Sequence, residues 1–258
     1  MIEDNKSSWG EQLLISFIFF ILLMFISAFM TDASLIAQGS IQLIYSLIVL
    51  IESWRLLGTN RIFKKHLMAN KQMITTELIM GIILGMFVVL EALPFHFYHS
   101  SKVLIGAGIL ALASAITEEY IFRGLFTAAI IQLINYYNNI KFKMTVTALI
   151  TSFLNASLIA LPYILGMINM SPTNFYVTFG LDFLLALLYF CVRIATNALI
   201  WVTGLHFIIV FALDTVVNTF TGGIIVAATV MLAILSIIPA LVYLNLVDHR
   251  LLSLKPAR

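Results

Sequence analysis

Eight nearly continuous apolar stretches, each about long enough to cross a bilayer as a helix, constrain this chain more than any other feature. They lie near 12–31, 34–52, 74–95, 103–122, 144–165, 175–195, 197–214 and 223–246. A helix rises about 1.5 Å per residue, so about 20 apolar residues span the hydrocarbon core, where backbone groups must be satisfied within the chain itself. The runs lack the period-two alternation of barrel strands. The expected fold is therefore all-α: a polytopic membrane helical bundle of about eight transmembrane helices. A composition of 62% hydrophobic and 10% charged residues supplies too little polar surface for a soluble domain of this length. The first run follows Glu3, Asp4 and Glu11, is too long for the apolar region of a signal peptide, and reads as a retained span. No linker-like tract and no internal repeat divides the chain, so 1–258 reads as a single integral membrane domain.

Basic residues give the expected orientation, because Lys and Arg concentrate on the cytoplasmic side of membrane proteins. With the N-terminus inside, Lys6, Arg55, Arg61, Lys64, Lys65, Lys71, Arg123, Lys141, Lys143, Arg193, Arg250, Lys255 and Arg258 all fall at cytoplasmic ends. Of the 14 basic residues only Lys102 falls outside. Both termini are expected in the cytoplasm and the lipid bilayer is the expected partner. A net charge of +2 carried by so few charges offers no basic surface for nucleic acid. The single cysteine, Cys191, excludes an intramolecular disulfide and reads as an inert core side chain.

Charges inside the membrane cost about 2.5–3.5 kcal/mol each on insertion scales, so those unable to reach the interface are functional candidates. Glu3, Asp4, Glu11, Asp32, Glu52, Glu77, Glu91 and Asp248 lie near span ends and read as solvated flanks. Asp182 sits deeper in the sixth span, with no basic residue within a turn or two. The clearest candidates are Glu118 and Glu119, followed by Arg123, at the expected cytoplasmic end of the fourth span. Glu119 and Arg123 are four residues apart with the carboxylate first, the favourable order for a helical ion pair. Glu118 points about 100° away and keeps no arginine. Neutralising one carboxylate leaves the other available as a general base that takes a proton from water. The plainer reading is a helix end whose charges reach headgroups.

The run Ala115-Ile116-Thr117-Glu118-Glu119-Tyr120-Ile121-Phe122-Arg123-Gly124 resembles the EExxxR motif of the CAAX prenyl protease type 2 and bacteriocin-processing or self-immunity proteins, the CPBP or Abi family of polytopic intramembrane proteases. Arg193-Ile194-Ala195-Thr196-Asn197-Ala198-Leu199-Ile200-Trp201-Val202-Thr203-Gly204-Leu205-His206 resembles the approach to that family's last motif, a histidine inside a helix. The resemblance covers 106–214 as a family-like catalytic core. It implies that Glu118 activates water for peptide hydrolysis, that Glu119 and Arg123 organise the site, and that His206 stabilises the oxyanion. It further implies a hydrophobic or membrane-anchored peptide substrate and a bacterial cell membrane.

The chain departs from the family pattern in two places. The late HxxxN becomes His206 followed by Val210, which has no hydrogen-bond donor in its side chain. The middle FxxxH should fall in 148–159, where there is no histidine. Its place is taken by Ser157 or Ile159 depending on register, with Thr151, Ser152 and Asn155 as neighbouring polar groups. Asn155 and Ser157 are thus possible supporting residues. Asp214, roughly two turns beyond His206, is a third, able to orient the imidazole. Asn197 falls on the helix face opposite His206, which argues against it as the missing donor.

A divalent metal such as zinc, held by Glu118, Glu119 and His206, would lack a second imidazole. His96 and His99, near Glu91, have metal-compatible spacing but belong by charge parity to the outer surface. Three functions follow: an intramembrane endopeptidase acting on a peptide presented from the cytoplasmic side, a non-catalytic descendant that binds a bacteriocin-like peptide or another membrane protein, and a transporter. The missing inverted repeat and the scarcity of further buried charges count against transport.

Overall fold

Short polar side chains start the helices. Ser8, Ser34 and Ser171 each accept a backbone N–H through the hydroxyl at an N-cap, and Asn70 does the same for Met73. Pro172 follows Ser171 as the first helical residue, where its missing N–H costs nothing. The computed structural model describes residue 2 and residues 5–30, 33–92, 101–137, 141–166, 170–216 and 223–254. In these lie α1 (Trp9–Phe29), α2 (Leu35–Leu57), α3 (Lys71–Ala92), α4 (Ser101–Glu118), a π-helical segment (Glu119–Phe126), α5 (Thr127–Tyr137), α6 (Lys143–Ile164), α7 (Pro172–Thr196), α8 (Leu199–Val216) and α9 (Gly223–Ser253).

The protein is an all-α polytopic membrane helical bundle. Among the described residues seven helical spans are long and apolar enough to cross a membrane, and the apolar stretch Leu199–Phe211 of α8 is shorter. Large apolar side chains such as Ile44, Ile51, Leu78, Ile82 and Ile238 point outward, as hydrocarbon surroundings allow and water disfavours. The inward side holds one apolar core, in which Cys191 is fully buried. Among the described residues the only strand-type pairing is an isolated bridge between Ile2 and Phe63.

The largest departure from the sequence expectation is the fourth span. It does not end near 122 at the charged motif: α4, the π-helical segment and α5 form one helical run from Ser101 to Tyr137. The cost of charge in lipid makes a charged motif look like a span end, but Glu119 and Arg123 are paired inside the bundle. Their burial also corrects the reading of an exposed helix end, since Glu119 is fully buried and Arg123 nearly so.

Small residues bring the helices around this run close together. A Cβ on Gly39 of α2 would lie 3.0 Å from the Leu110 amide nitrogen of α4, and one on Gly106 would lie 3.0 Å from the Leu35 Cβ. Leu57, the last residue of α2, reaches Gly124, so α2 and α4 run in the same direction. On α8, Phe211 lies against Gly108 and Leu199 against Gly124, so α8 runs antiparallel to α4 and carries His206 past the motif.

Two flank assignments are corrected. Asp248 of α9 is buried, not solvated: its carboxylate accepts from Met144 N (2.8 Å), Thr145 N (3.0 Å) and Thr145 Oγ1 (2.8 Å), capping α6 from a distant part of the chain. Glu77 of α3 is half-buried and accepts from the Tyr243 hydroxyl of α9 at 2.8 Å. Among the prolines, Pro172 opens α7, Pro162 lies in the last turn of α6 and Pro239 inside α9. Pro94, Asp32, His96 and His99 lie outside the described residues, as does the side chain of Glu91.

Candidate functional site

The π-helical segment is what presents the motif. Its backbone closes i→i+5 turns: the Thr127 amide reaches the Phe122 carbonyl, and the Thr127 hydroxyl donates to that same carbonyl at 2.8 Å. A π turn holds more residues than an α turn, so Glu119 and Arg123 fall nearly one above the other, and such segments concentrate at functional sites. The segment is anchored apart from the chemistry by Phe122 and Phe126, which meet Phe20 and Phe17 of α1 edge-on with ring centroids 6.0 and 5.0 Å apart.

Glu119 is the hub of a buried polar cluster. Its Oε1 accepts from Arg123 Nη1 at 3.2 Å and from His206 Nδ1 at 2.7 Å. Arg123 Nη1 also donates to Asn155 Oδ1, and Asn155 Nδ2 donates to Glu118 Oε2 at 3.3 Å. The ring is nearly closed by His206 Nε2, which lies 3.9 Å from Glu118 Oε2. Because a carboxylate faces Nδ1, the neutral imidazole carries its proton there and turns the Nε2 lone pair toward Glu118. Tyr189 of α7 stacks on the His206 ring at 4.8 Å between centroids and lies under the Arg123 guanidinium at 5.4 Å.

Glu118 differs from its neighbours in access. Its side chain is 21% exposed while that of Glu119 is wholly buried. It lies at the base of an open cleft of about 240 Å³, lined by Ile26 and Met30 of α1, Gln38 and Gln42 of α2, Ser114 of α4 and Val210 of α8. Arg123 belongs instead to a second cleft, on the side bearing the N-terminal segment.

The structure thus brings together Glu118, Glu119, Arg123, His206 and Asn155, and leaves Ser157 out. The Ser157 hydroxyl donates back to Phe153 O and Leu154 O of its own helix. Thr151 likewise bonds to carbonyls of α6, and the Ser152 hydroxyl is buried without a partner. The α6 residue that reaches the motif is therefore Asn155, at neither register offered for the absent histidine. Val210 stands one turn beyond His206 on the cleft wall. The side chains of Asp214 and Ile159 lie outside the described residues. Asn197 is a structural clamp: at a left-handed φ of 50°, it accepts from Ile62 N and Phe63 N and donates to Phe63 O, tying the segment after α2 to the α7–α8 junction.

Helix α7 contributes more than the sequence reading assigned it. Asp182 is half-buried and within electrostatic reach of Glu118 and His206. Arg193, placed at a cytoplasmic span end by the basic-residue count, is buried. Asp182, Tyr189 and Arg193 lie seven and then four residues apart, one face of a helix, so this polar stripe in an apolar span was the signal available.

The donor set does not fit the zinc ion considered above. Glu119 and His206 Nδ1 are engaged with each other, leaving Glu118 and His206 Nε2 as the available pair. Among the described residues no group of three or more His, Cys, Asp and Glu is placed to hold a metal ion. Comparison with protein-family models, curated proteins and solved structures finds no match.

Proposed function

We propose that this protein is an intramembrane endopeptidase of the CPBP or Abi type, in which Glu118 activates water to cleave a hydrophobic or membrane-anchored peptide. The observation that carries the reading is the division of labour between adjacent glutamates: Glu119 is spent on Arg123 and His206, while Glu118 faces the cleft and holds only a long bond from Asn155.

The chemistry uses groups already in position. A water at the cleft base can touch both Glu118 Oε2 and His206 Nε2, since two contacts of about 2.8 Å span their separation. Glu118 takes a proton from that water as it attacks the peptide carbonyl. Glu118 then returns the proton to the leaving amine, or His206 relays it through Nε2, with Glu119 stabilising the imidazolium as the carboxylate of a catalytic dyad does. Asn155 fixes the Glu118 carboxylate and ties it to Arg123.

With the N-terminus cytoplasmic, as the basic residues suggest, the route to Glu118 would open from the opposite side to the cytoplasmic presentation expected from the sequence. Its cleft is lined by the last turns of α1 and the first turns of α2, the end of the bundle away from the N-terminal segment. That supports entry of the substrate from that half of the bilayer.

Val210 favours a second reading. An apolar side chain where the family pattern calls for an amide, in a cleft also lined by Ile26 and Met30, suits a non-catalytic protein that holds a hydrophobic peptide, as in self-immunity. Co-expression with small membrane peptides separates the two. The endopeptidase reading expects cleavage by the wild type and a loss of about 10²–10⁴-fold in Glu118→Gln, which keeps the side chain's shape. Full function in both Glu118→Gln and Glu119→Gln overturns catalysis in favour of binding.

A further inference from the structure

We infer that Arg123 and Arg193 form a buried pocket for a single phosphate group, opening toward the end of the bundle that bears the N-terminal segment. Both residues are 2% exposed. Arg193 Nε and Nη1 and Arg123 Nη2 have no hydrogen-bond partner. Both arginines line the second cleft, where they are joined by the exposed Arg61, and among the described residues no acidic side chain contributes to its wall.

A buried guanidinium with orphan donors needs an acceptor, and Glu119 does not serve these donors, since its own Oε2 is buried without a partner. Glu119 is the carboxylate shared by this cluster; its Oε1 already accepts from Arg123 and His206. Glu118 faces the other cleft. The guanidinium N–H groups on this side therefore stay without an acceptor at low dielectric, where arginine stays protonated. A tetrahedral oxyanion answers this arrangement, because two planar forks approaching from different helices match several oxygens around one centre. The free space is about 30 Å³, enough for a group the size of a few water molecules and too small for a bulky ligand. Leu57 and Thr59, at the end of the spanning helix α2, lie at its wall, which is the level where headgroup phosphates lie. The phosphate comes from a lipid headgroup or from free phosphate in solution. With the anion bound, Arg123 is held from both sides, by Glu119 and Asn155 toward the water-activating group and by phosphate behind.

The inference concerns binding and stands apart from proteolysis, so its test needs no substrate peptide. Full-length protein in phosphate-free detergent is measured in two ways: bound phosphorus per chain by intact-complex mass spectrometry, and the thermal unfolding midpoint with inorganic phosphate against chloride at equal ionic strength. Retained phospholipid near one per chain assigns the headgroup. A phosphate-specific, saturable rise in the midpoint without retained lipid assigns the free ion. Either signal should weaken by about tenfold in Arg193→Gln and severalfold in the exposed Arg61→Gln. Arg193→Lys, which keeps the charge and loses the fork, serves if the glutamine variant does not fold, with the same direction expected. No retained phosphorus and equal midpoints in phosphate and chloride overturn the inference, leaving a cleft that holds water only. Wild-type binding in folded Arg193 and Arg61 variants overturns it as well.

Discussion

Adjacent glutamates differ here by one hydrogen-bond network, and the proposed chemistry rests on that difference. Glu119 is neutralised at Oε1 by a guanidinium and an imidazole; Glu118 keeps a face toward the cleft. The residue that most limits the proposed reaction is Val210, which lines the cleft beside Glu118 but has nothing to donate to a developing oxyanion. Supplying an amide there should raise turnover. We expect Val210→Asn to accelerate peptide cleavage by about 10–100-fold, the scale of one oxyanion donor, with thermal stability nearly unchanged because the position faces open space. A folded Val210→Asn protein with wild-type turnover would place the oxyanion away from this wall.

The helices are positioned by side chains from remote parts of the chain as much as by their own propensities. Asp248 is the clearest case: a residue of α9 satisfies two backbone amides at the start of α6, the helix that carries Asn155 into the site. Removing it loses a cap and strands buried donors, at a combined cost of about 2–3 kcal/mol. Asp248→Ala should therefore lower the unfolding midpoint by several degrees and reduce activity with it, as measured by thermal unfolding in detergent. Asp248→Asn, which keeps one acceptor, should fall in between. An unchanged midpoint for Asp248→Ala would show that α6 starts without this cap. At the same scale, the π-helical turn accounts for the registration of Glu119 over Arg123, and Asn197 accounts for the seating of the segment after α2.

The whole molecule is a membrane bundle whose two clefts lie on either side of the same charged layer, one reached by Glu118 and the other by Arg123. Which compartment each faces follows from the orientation proposed from the basic residues. Reporter fusions after Lys71 and after Met170 should report opposite sides, with the Lys71 fusion cytoplasmic. Matching sidedness at the two positions breaks the alternation and with it the proposed placement of both termini.

Apolar runs of bilayer length determined the all-α membrane architecture on their own, since a chain in hydrocarbon has few ways to satisfy its backbone. Local spacing was also sufficient to pair Glu119 with Arg123 and to separate Glu118 from them, because both are properties of one helical turn. The approach of His206 to Glu119 depends on α8 running antiparallel to α4, and the entry of Asn155 depends on α6 packing across the motif, so no local pattern carried either. The sequence reading ended the fourth span at the charges because it counted their cost in lipid. Partners contributed by α6 and α8 are what let the helix continue with those charges inside, and partners separated by tens of residues exist only once the bundle has packed.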